Sequence, residues 1–229
     1  MIADQPIQHT DCVEAWTRPA GKRGGDFIIR DINDEKVTVV LADAAGHDNE
    51  AARIAANLRP IITRQIRFPI ARSLIKHWHH RVQEEARETF RFMCLTILQL
   101  NRFTRELTVI NAGNPDVIIR RSPGLRLDRF ASTGMPLGIV DDDEWRCPVI
   151  QRTYLGSHEL AFCFSDGVTD CVGADGNRYG FRRVCRAARK VEGSSPLRSM
   201  RRGLLQFASP TAHQDDLSLL ILAGDRLVA

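Results

Sequence analysis

Three apolar runs in this chain each meet a carboxylate at one end, and that repeated punctuation constrains the fold more than any other feature. Val37-Thr-Val-Val-Leu-Ala42 runs into Asp43, Leu160-Ala-Phe-Cys-Phe-Ser165 runs into Asp166, and Leu217-Ser-Leu-Leu-Ile-Leu222 follows Asp215 and Asp216. Runs of this length and composition read as buried strands. A fourth acid, Asp26, follows Gly24 and Gly25, which permit close backbone approach. A carboxylate at the mouth of a buried strand is poorly placed for a solvated surface charge. If such strand ends converge, two carboxylates about 4 Å apart repel by roughly 4 kcal/mol at an effective dielectric near 20. Divalent cations relieve that repulsion, and an all-oxygen site suits Mg²⁺ or Mn²⁺. The pattern implies metal-dependent hydrolysis of a phosphate ester.

Composition narrows the setting. Of 229 residues, 43% are hydrophobic and 26% charged, which excludes disordered and fibrous classes. No run approaches the roughly 18 apolar residues of a membrane helix. Met1-Ile-Ala-Asp-Gln-Pro6 lacks the charged and apolar regions of a signal peptide, so the expectation is a cytoplasmic protein with no membrane contact. Cys12, Cys94, Cys147, Cys163, Cys171 and Cys185 contain no C-x-x-C pair. Three disulfides are arithmetically open, but a chain of this size does not need them, and buried free thiols are the better reading. The net charge of +4 rests on arginine, concentrated late in the chain at Arg182, Arg183, Arg186, Arg189, Arg198, Arg201 and Arg202. A docking face for an acidic protein, nucleic-acid binding and a solvated helix face all fit such a run. No aromatic residues interleave to form a single-strand platform, and no nucleic-acid partner is expected.

Periodicity predicts a first strand near Cys12 to Thr17 and a hairpin of strands from Phe27 and Val37, turning at Asp31 to Lys36. Ala51, Ile54, Ala55, Leu58 and Ile62 predict a helix over Asp48 to Arg67, kinked or divided by Pro60. A second helix is predicted from Ile70 to Glu88. Phe92–Leu100, Glu106–Asn111 and Val117–Arg121 read as three antiparallel strands joined by short turns, with further strands near Cys147–Thr153 and Glu159–Ser165. Helices over Phe181–Val191 and Pro196–Phe207 precede a final strand. Strands at both ends and helices in two batches predict an α+β fold of two antiparallel sheets with helices outside.

Four acidic motifs carry the chemistry: Gly24-Gly-Asp26, Ala42-Asp-Ala-Ala-Gly-His47, Ser165-Asp-Gly-Val-Thr-Asp170 and Gln214-Asp-Asp-Leu-Ser218. Together with Leu107-Thr-Val-Ile-Asn-Ala-Gly-Asn-Pro115, Ser132-Thr-Gly-Met-Pro-Leu-Gly138 and Asp175-Gly-Asn-Arg-Tyr-Gly180, their order resembles the stage II sporulation protein E family of bacterial serine/threonine phosphatases. That family lies within the metal-dependent phosphatases related to protein phosphatase 2C. The resemblance spans about Val13 to Leu222. It implies a four-layer αββα sandwich and a single phosphatase domain over 1–229 with no sensor or receiver domain.

By the same resemblance, Asp43 bridges two divalent ions, Mn²⁺ or Mg²⁺, and the Ala44 carbonyl, Asp166, Asp215 and Asp26 complete the metal site. Asp43 and Asp166 are then catalytic through a metal-activated water. Asp170 is either a ligand of an accessory metal or a helix cap. The implied substrate is a phosphoserine or phosphothreonine protein, as in families whose members act on anti-sigma-factor antagonists in partner switching; a homodimer stays open. A catalytically silent binding module and a small-phosphoester hydrolase are the competing readings, and for Asp43 alone a turn or capping aspartate competes.

Several features carry weaker signals. His47 follows Gly46 and reads as orienting the metal loop. His77, His79 and His80 read as a solvated helix face rather than a transition-metal site, because nothing completes a tetrahedral set. Asp216 reads as structural, and Ser165 and Thr169 as supporting groups. Asp48 and Asn114 depart from the family pattern, the first as a plausible helix cap, and both are expected to alter substrate approach. Arg18 and Arg23 flank the first motif, where an arginine could grip phosphate. Asp141-Asp-Asp-Glu144 reads either as a docking surface or as a solvated loop.

Overall fold

The computed structural model describes residues 6–10, 12–122, 126–191, 195–209 and 215–225. Gln214 and the first five residues, read above for a motif and a leader, lie outside the described residues.

Two antiparallel sheets lie face to face. The first has six strands: β1 (Gln8–Thr10), β2 (Val13–Arg18), β7 (Val117–Arg120), β8 (Leu127–Phe130), β10 (Leu160–Phe164) and β11 (Leu217–Ala223), in the order β1-β2-β11-β10-β7-β8. The second has five: β3 (Asp26–Ile32), β4 (Lys36–Ala44), β5 (Met93–Asn101), β6 (Glu106–Ala112) and β9 (Gln151–Tyr154), in the order β3-β4-β5-β6-β9. Helices α1 (Asn49–Gln65) and α2 (Arg72–Ala86) cover the five-stranded sheet. The short α3 (Asp166–Asp170) precedes α4 (Gly180–Lys190) and α5 (Pro196–Phe207), which cover the other sheet. The result is a four-layer α+β sandwich.

Alternation along β4 explains the layering. Val37, Val39 and Leu41 pack into the core shared with the six-stranded sheet, while Val40, Ala42 and Ala44 pack toward α1 and α2. A period of two sends successive side chains to opposite faces, so one apolar strand serves two cores.

Three expectations need correction. The segment from Phe92 to Arg121 is not a three-stranded meander: β5 and β6 pair, but β7 belongs to the other sheet and pairs with β10 and β8. The Gly113–Asp116 segment therefore crosses between sheets. Local turn chemistry there is the same for a hairpin and a crossover, which is why the pattern misled. Pro60 does not divide α1, which runs unbroken as one helix. Proline frees the carbonyl four residues back, here that of Ala56, and both residues lie on the exposed side where water can satisfy it. Finally, α2 does not present its histidines to solvent as a set. His79 is buried, stacked on Trp145 with ring centroids 4.1 Å apart, and its Nδ1 accepts the Gly138 N–H at 3.0 Å.

The acidic run is also held rather than wholly free. Asp142 faces Lys76 at 3.3 Å, His80 at 3.2 Å and His79 at 3.5 Å, which fastens the 141–144 turn to α2. None of the six cysteines, all of them among the described residues, forms a disulfide.

Candidate metal centre

Asp26 opens β3 and stands directly across from Asp43, the penultimate residue of β4. Cβ atoms of such opposed pairs lie roughly 4.5–5.5 Å apart. Asp43 falls on the same side of its strand as Val39 and Leu41, so both acids face the seam between the sheets. The six-stranded sheet brings the others to that seam: Asp166 just after β10, and Asp215 just before β11, the strand that pairs with β10. Antiparallel pairing puts the end of one beside the start of the other.

Two glycines allow the segments to close. A Cβ on Gly25 would lie 2.6 Å from the Ala44 carbonyl oxygen, and one on Gly167 would collide with the Asp216 carbonyl. Any larger residue at either place would push the acidic loops apart. Asp216 ties the seam: its carboxylate accepts N–H bonds from Ala20 at 2.7 Å, Gly25 at 2.6 Å and Asp26 at 3.2 Å. One buried side chain thereby fixes the first motif to the last, across about 190 residues of sequence. Ser165 supports the same junction, receiving the Ser218 N–H at 3.1 Å and donating to the Asp216 carbonyl at 3.2 Å.

The electrostatics are those of crowded carboxylates. Burial, then the neighbouring Asp43, drives the Asp26 carboxyl well above the ordinary range. Burial, followed by repulsion from Asp166, pushes Asp43 up to about 7. Asp166 is raised by burial and by Asp215; Asp215 is raised chiefly by burial, with nearby His47 pulling the other way. Both carboxylate oxygens of Asp26 are buried without a hydrogen-bond partner; the Ser165 and Ser218 hydroxyls are close enough to temper the shift but do not satisfy them. Among the described residues no three His, Cys, Asp or Glu side chains are already gathered as a ligand shell; the acids meet as successive neighbours.

A hard divalent cation fits this donor set. Orphaned carboxylate oxygens, mutually raised pKa values and an adjacent main-chain carbonyl at Ala44 are all oxygen donors short of positive charge. Asp170 stands at the margin, paired with Arg178 at 2.9 Å. Thr169 bonds the Asp166 carbonyl at 2.8 Å within the same short helix.

One residue differs in role from its sequence reading, and a second had no such reading. Asn114 is buried between the sheets, bonded to Thr96 Oγ1 at 2.9 Å and to the Leu41 carbonyl at 3.4 Å, so it steadies the crossover and does not line an approach route. Arg91 carried no sequence signal, yet its Nη1 donates to the Ala45 carbonyl at 2.6 Å and its Nη2 meets Asp48 at 2.7 Å. It staples the loop after Asp43 to the N-terminus of α1, where Asp48 also accepts the Glu50 and Ala51 N–H groups. Only proximity in the fold reveals that role.

Known proteins resemble this chain in sequence and in fold. The family described as "Stage II sporulation protein E (SpoIIE)" matches residues 33–224. The chain is 24% identical over 165 residues to the phosphoserine phosphatase RsbP of Bacillus subtilis, covering 69% of this chain and 40% of that protein. The chain thus spans well under half the length of that curated relative. Among solved structures, the SiaA-PP2C domain of Pseudomonas aeruginosa superposes with a TM-score of 0.75 at 18% identity, covering 92% of this chain and 85% of that one. The structure of the RsbU and RsbW domains of Rv1364c from Mycobacterium tuberculosis gives 0.71 at 17%, covering 96% and 61%. At these identities the structural likeness establishes the fold.

Proposed function

Because the chain belongs to the stage II sporulation protein E family, we propose that it is a metal-dependent phosphatase acting on phosphoserine or phosphothreonine in a protein. The observation that carries this reading is Asp26, whose two buried carboxylate oxygens have no partner and which faces Asp43 across the strand pair. Asp26, Asp43, the Ala44 carbonyl, Asp166 and Asp215 would hold two divalent cations, Mn²⁺ or Mg²⁺. When bound, such ions supply Lewis acidity to a water nucleophile and neutralise phosphoryl oxygens.

The remaining work falls to the chain itself. Asp43 has Asp26 on one side and Asp166 on the other, which puts it in the middle of the row of acids. Asp216 holds the Asp26 backbone still, and Arg91 fixes the carbonyl run after Asp43, so the donors are set before substrate arrives. His47 lies near enough to Asp215 to pull its pKa downward.

The substrate in this reading is a phosphorylated anti-sigma-factor antagonist. Support comes from the relative named as a phosphoserine phosphatase and from the neighbour whose structure joins an RsbU to an RsbW domain. The test is release of phosphate from a phosphoserine protein with Mn²⁺, Mg²⁺ or a chelator present. Turnover with either metal, abolished by chelation, is expected. A folded, metal-bound protein that hydrolyses no phosphoester would be a binding module, and turnover confined to p-nitrophenyl phosphate would make it a small-ester hydrolase.

A further inference from the structure

Beside the acidic seam, between β2 and β3, lies a cleft of about 310 Å³. Asp26 and Asp216 contribute to its wall, and Arg18, Lys22, Arg23 and Arg59 surround it. Arg18 ends β2, Lys22 and Arg23 come from the loop entering the Gly24-Gly25-Asp26 motif, and Arg59 reaches in from α1. Several arginines elsewhere in this molecule are matched with acids: Arg53 with Glu50 and Glu85, Arg121 with Asp128 and Glu159, Arg129 with Asp116. Among the described residues, none of the four cleft cations forms an ion pair, and the Arg18 Nε is buried with no hydrogen-bond partner. Four like charges left unmatched around one concavity repel each other. They are accounted for if an anion from outside completes them.

We propose that this cleft binds an acidic segment of the substrate chain, Asp or Glu residues flanking the phosphorylated side chain. The inference rests on the phosphatase reading above and names the substrate class of that site. The cleft shares Asp26 with the metal centre, so a chain whose phosphate reaches the seam passes the cations within a few residues. An extended chain advances about 3.3 Å per residue, which puts the acids within roughly three positions of the phosphorylated one. Asp26 and Asp216 in the wall disfavour a nucleic-acid backbone, whose closely spaced phosphates would lie against them. A peptide can place isolated carboxylates opposite the cations alone.

The test uses the full chain and a Lys22→Glu/Arg59→Glu double variant; both side chains are exposed and neither is placed in the metal site. Two phosphoserine peptides are compared, one with three Asp residues adjacent to the phosphoserine and one with three Ser residues there. Wild type should favour the acidic peptide by about tenfold in kcat/KM at low salt, since each exposed ion pair contributes little and several act together. The preference should shrink with added salt and vanish or reverse in the variant, while p-nitrophenyl phosphate turnover stays unchanged. Equal loss on both peptides and the small ester would mean that the cations grip the phosphoryl group itself, and no preference in wild type would leave a merely solvated basic surface. Either result overturns the proposal.

Fluorescence anisotropy of a labelled, unphosphorylated acidic peptide reads the cleft without catalysis. Weaker binding by the variant supports the cleft even if no phosphoester is hydrolysed, so failure of the phosphatase reading is seen separately. Tighter wild-type binding to a labelled oligonucleotide than to the acidic peptide would assign the surface to nucleic acid instead and defeat the proposal.

Discussion

Replacing Asp43 with asparagine should do two opposite things. The wild-type carboxyl holds its proton up to about pH 7 in the metal-free fold but releases it near pH 3.9 when unfolded. A folded pKa above the unfolded one confers stability that is full below the lower value and lost as pH rises through the higher. The metal-free wild type should therefore melt at a lower temperature at pH 8 than at pH 5, and Asp43→Asn should flatten that fall and raise the midpoint at pH 8. Phosphatase activity should drop at least 10–100-fold, the loss usual for mere supporting groups at metal sites. The rise in melting temperature on adding Mn²⁺ should shrink with it. Thermal scans with and without metal, alongside kinetics, read all three. Asp216→Ala is expected to behave differently: it strands three N–H groups that now share one carboxylate, so denaturant unfolding should show a loss of roughly 2–4 kcal/mol together with weakened metal binding. These opposite signs separate an acid that repels its neighbours from one that organises them.

At the scale of elements, α2 and the turn it clamps give a measurable pH response. Burial holds the His79 imidazole down at about 4, with Asp142 pulling upward and His80 and Lys76 pushing the same way as burial. An unfolded histidine titrates near 6.5, so the contribution from His79 is intact above that value and is lost as pH falls toward about 4. A His79→Gln variant should show a smaller decline in melting temperature between pH 6.5 and 4 than wild type, and equal declines would remove His79 from this role. This burial was not legible in the sequence, because His77, His79 and His80 flank Trp78 at spacings that fit more than one face and only the packed Trp145 decides between them. Strands and helices were largely legible from period and apolar content, and so were Asp26, Asp43, Asp166 and Asp215 as a group, since each stands at a strand end beside small residues. Partnership was harder to read. The sheet to which Val117–Arg120 belongs, the staple made by Arg91 and the approach of Arg59 to Lys22 depend on contacts between segments distant in sequence, which no local pattern encodes.

The whole molecule stacks two sheets between two helical layers, and the core beneath α4 and α5 holds one of its largest buried side chains. Phe162 is buried at 1% exposure in β10, between its register partners Ile221 and Ile118. Phe162→Ala should cost about 3–5 kcal/mol, measured by denaturant unfolding, because it would leave a cavity between the six-stranded sheet and the α4–α5 layer. β11 has a different kind of importance. Among the described residues it is the latest strand in sequence, yet it sits inside its sheet between β2 and β10 and carries Asp215 and Asp216 to the seam. A chain emerging from the ribosome can form the β3–β4 hairpin and align Asp26 with Asp43 early, but β2 lacks its inner neighbour, and the Asp26 backbone lacks its anchor, until residues beyond 215 appear. Birth order thus acts as a safety catch: half of the acidic row can align early in synthesis, and the row is complete only after β11 has emerged.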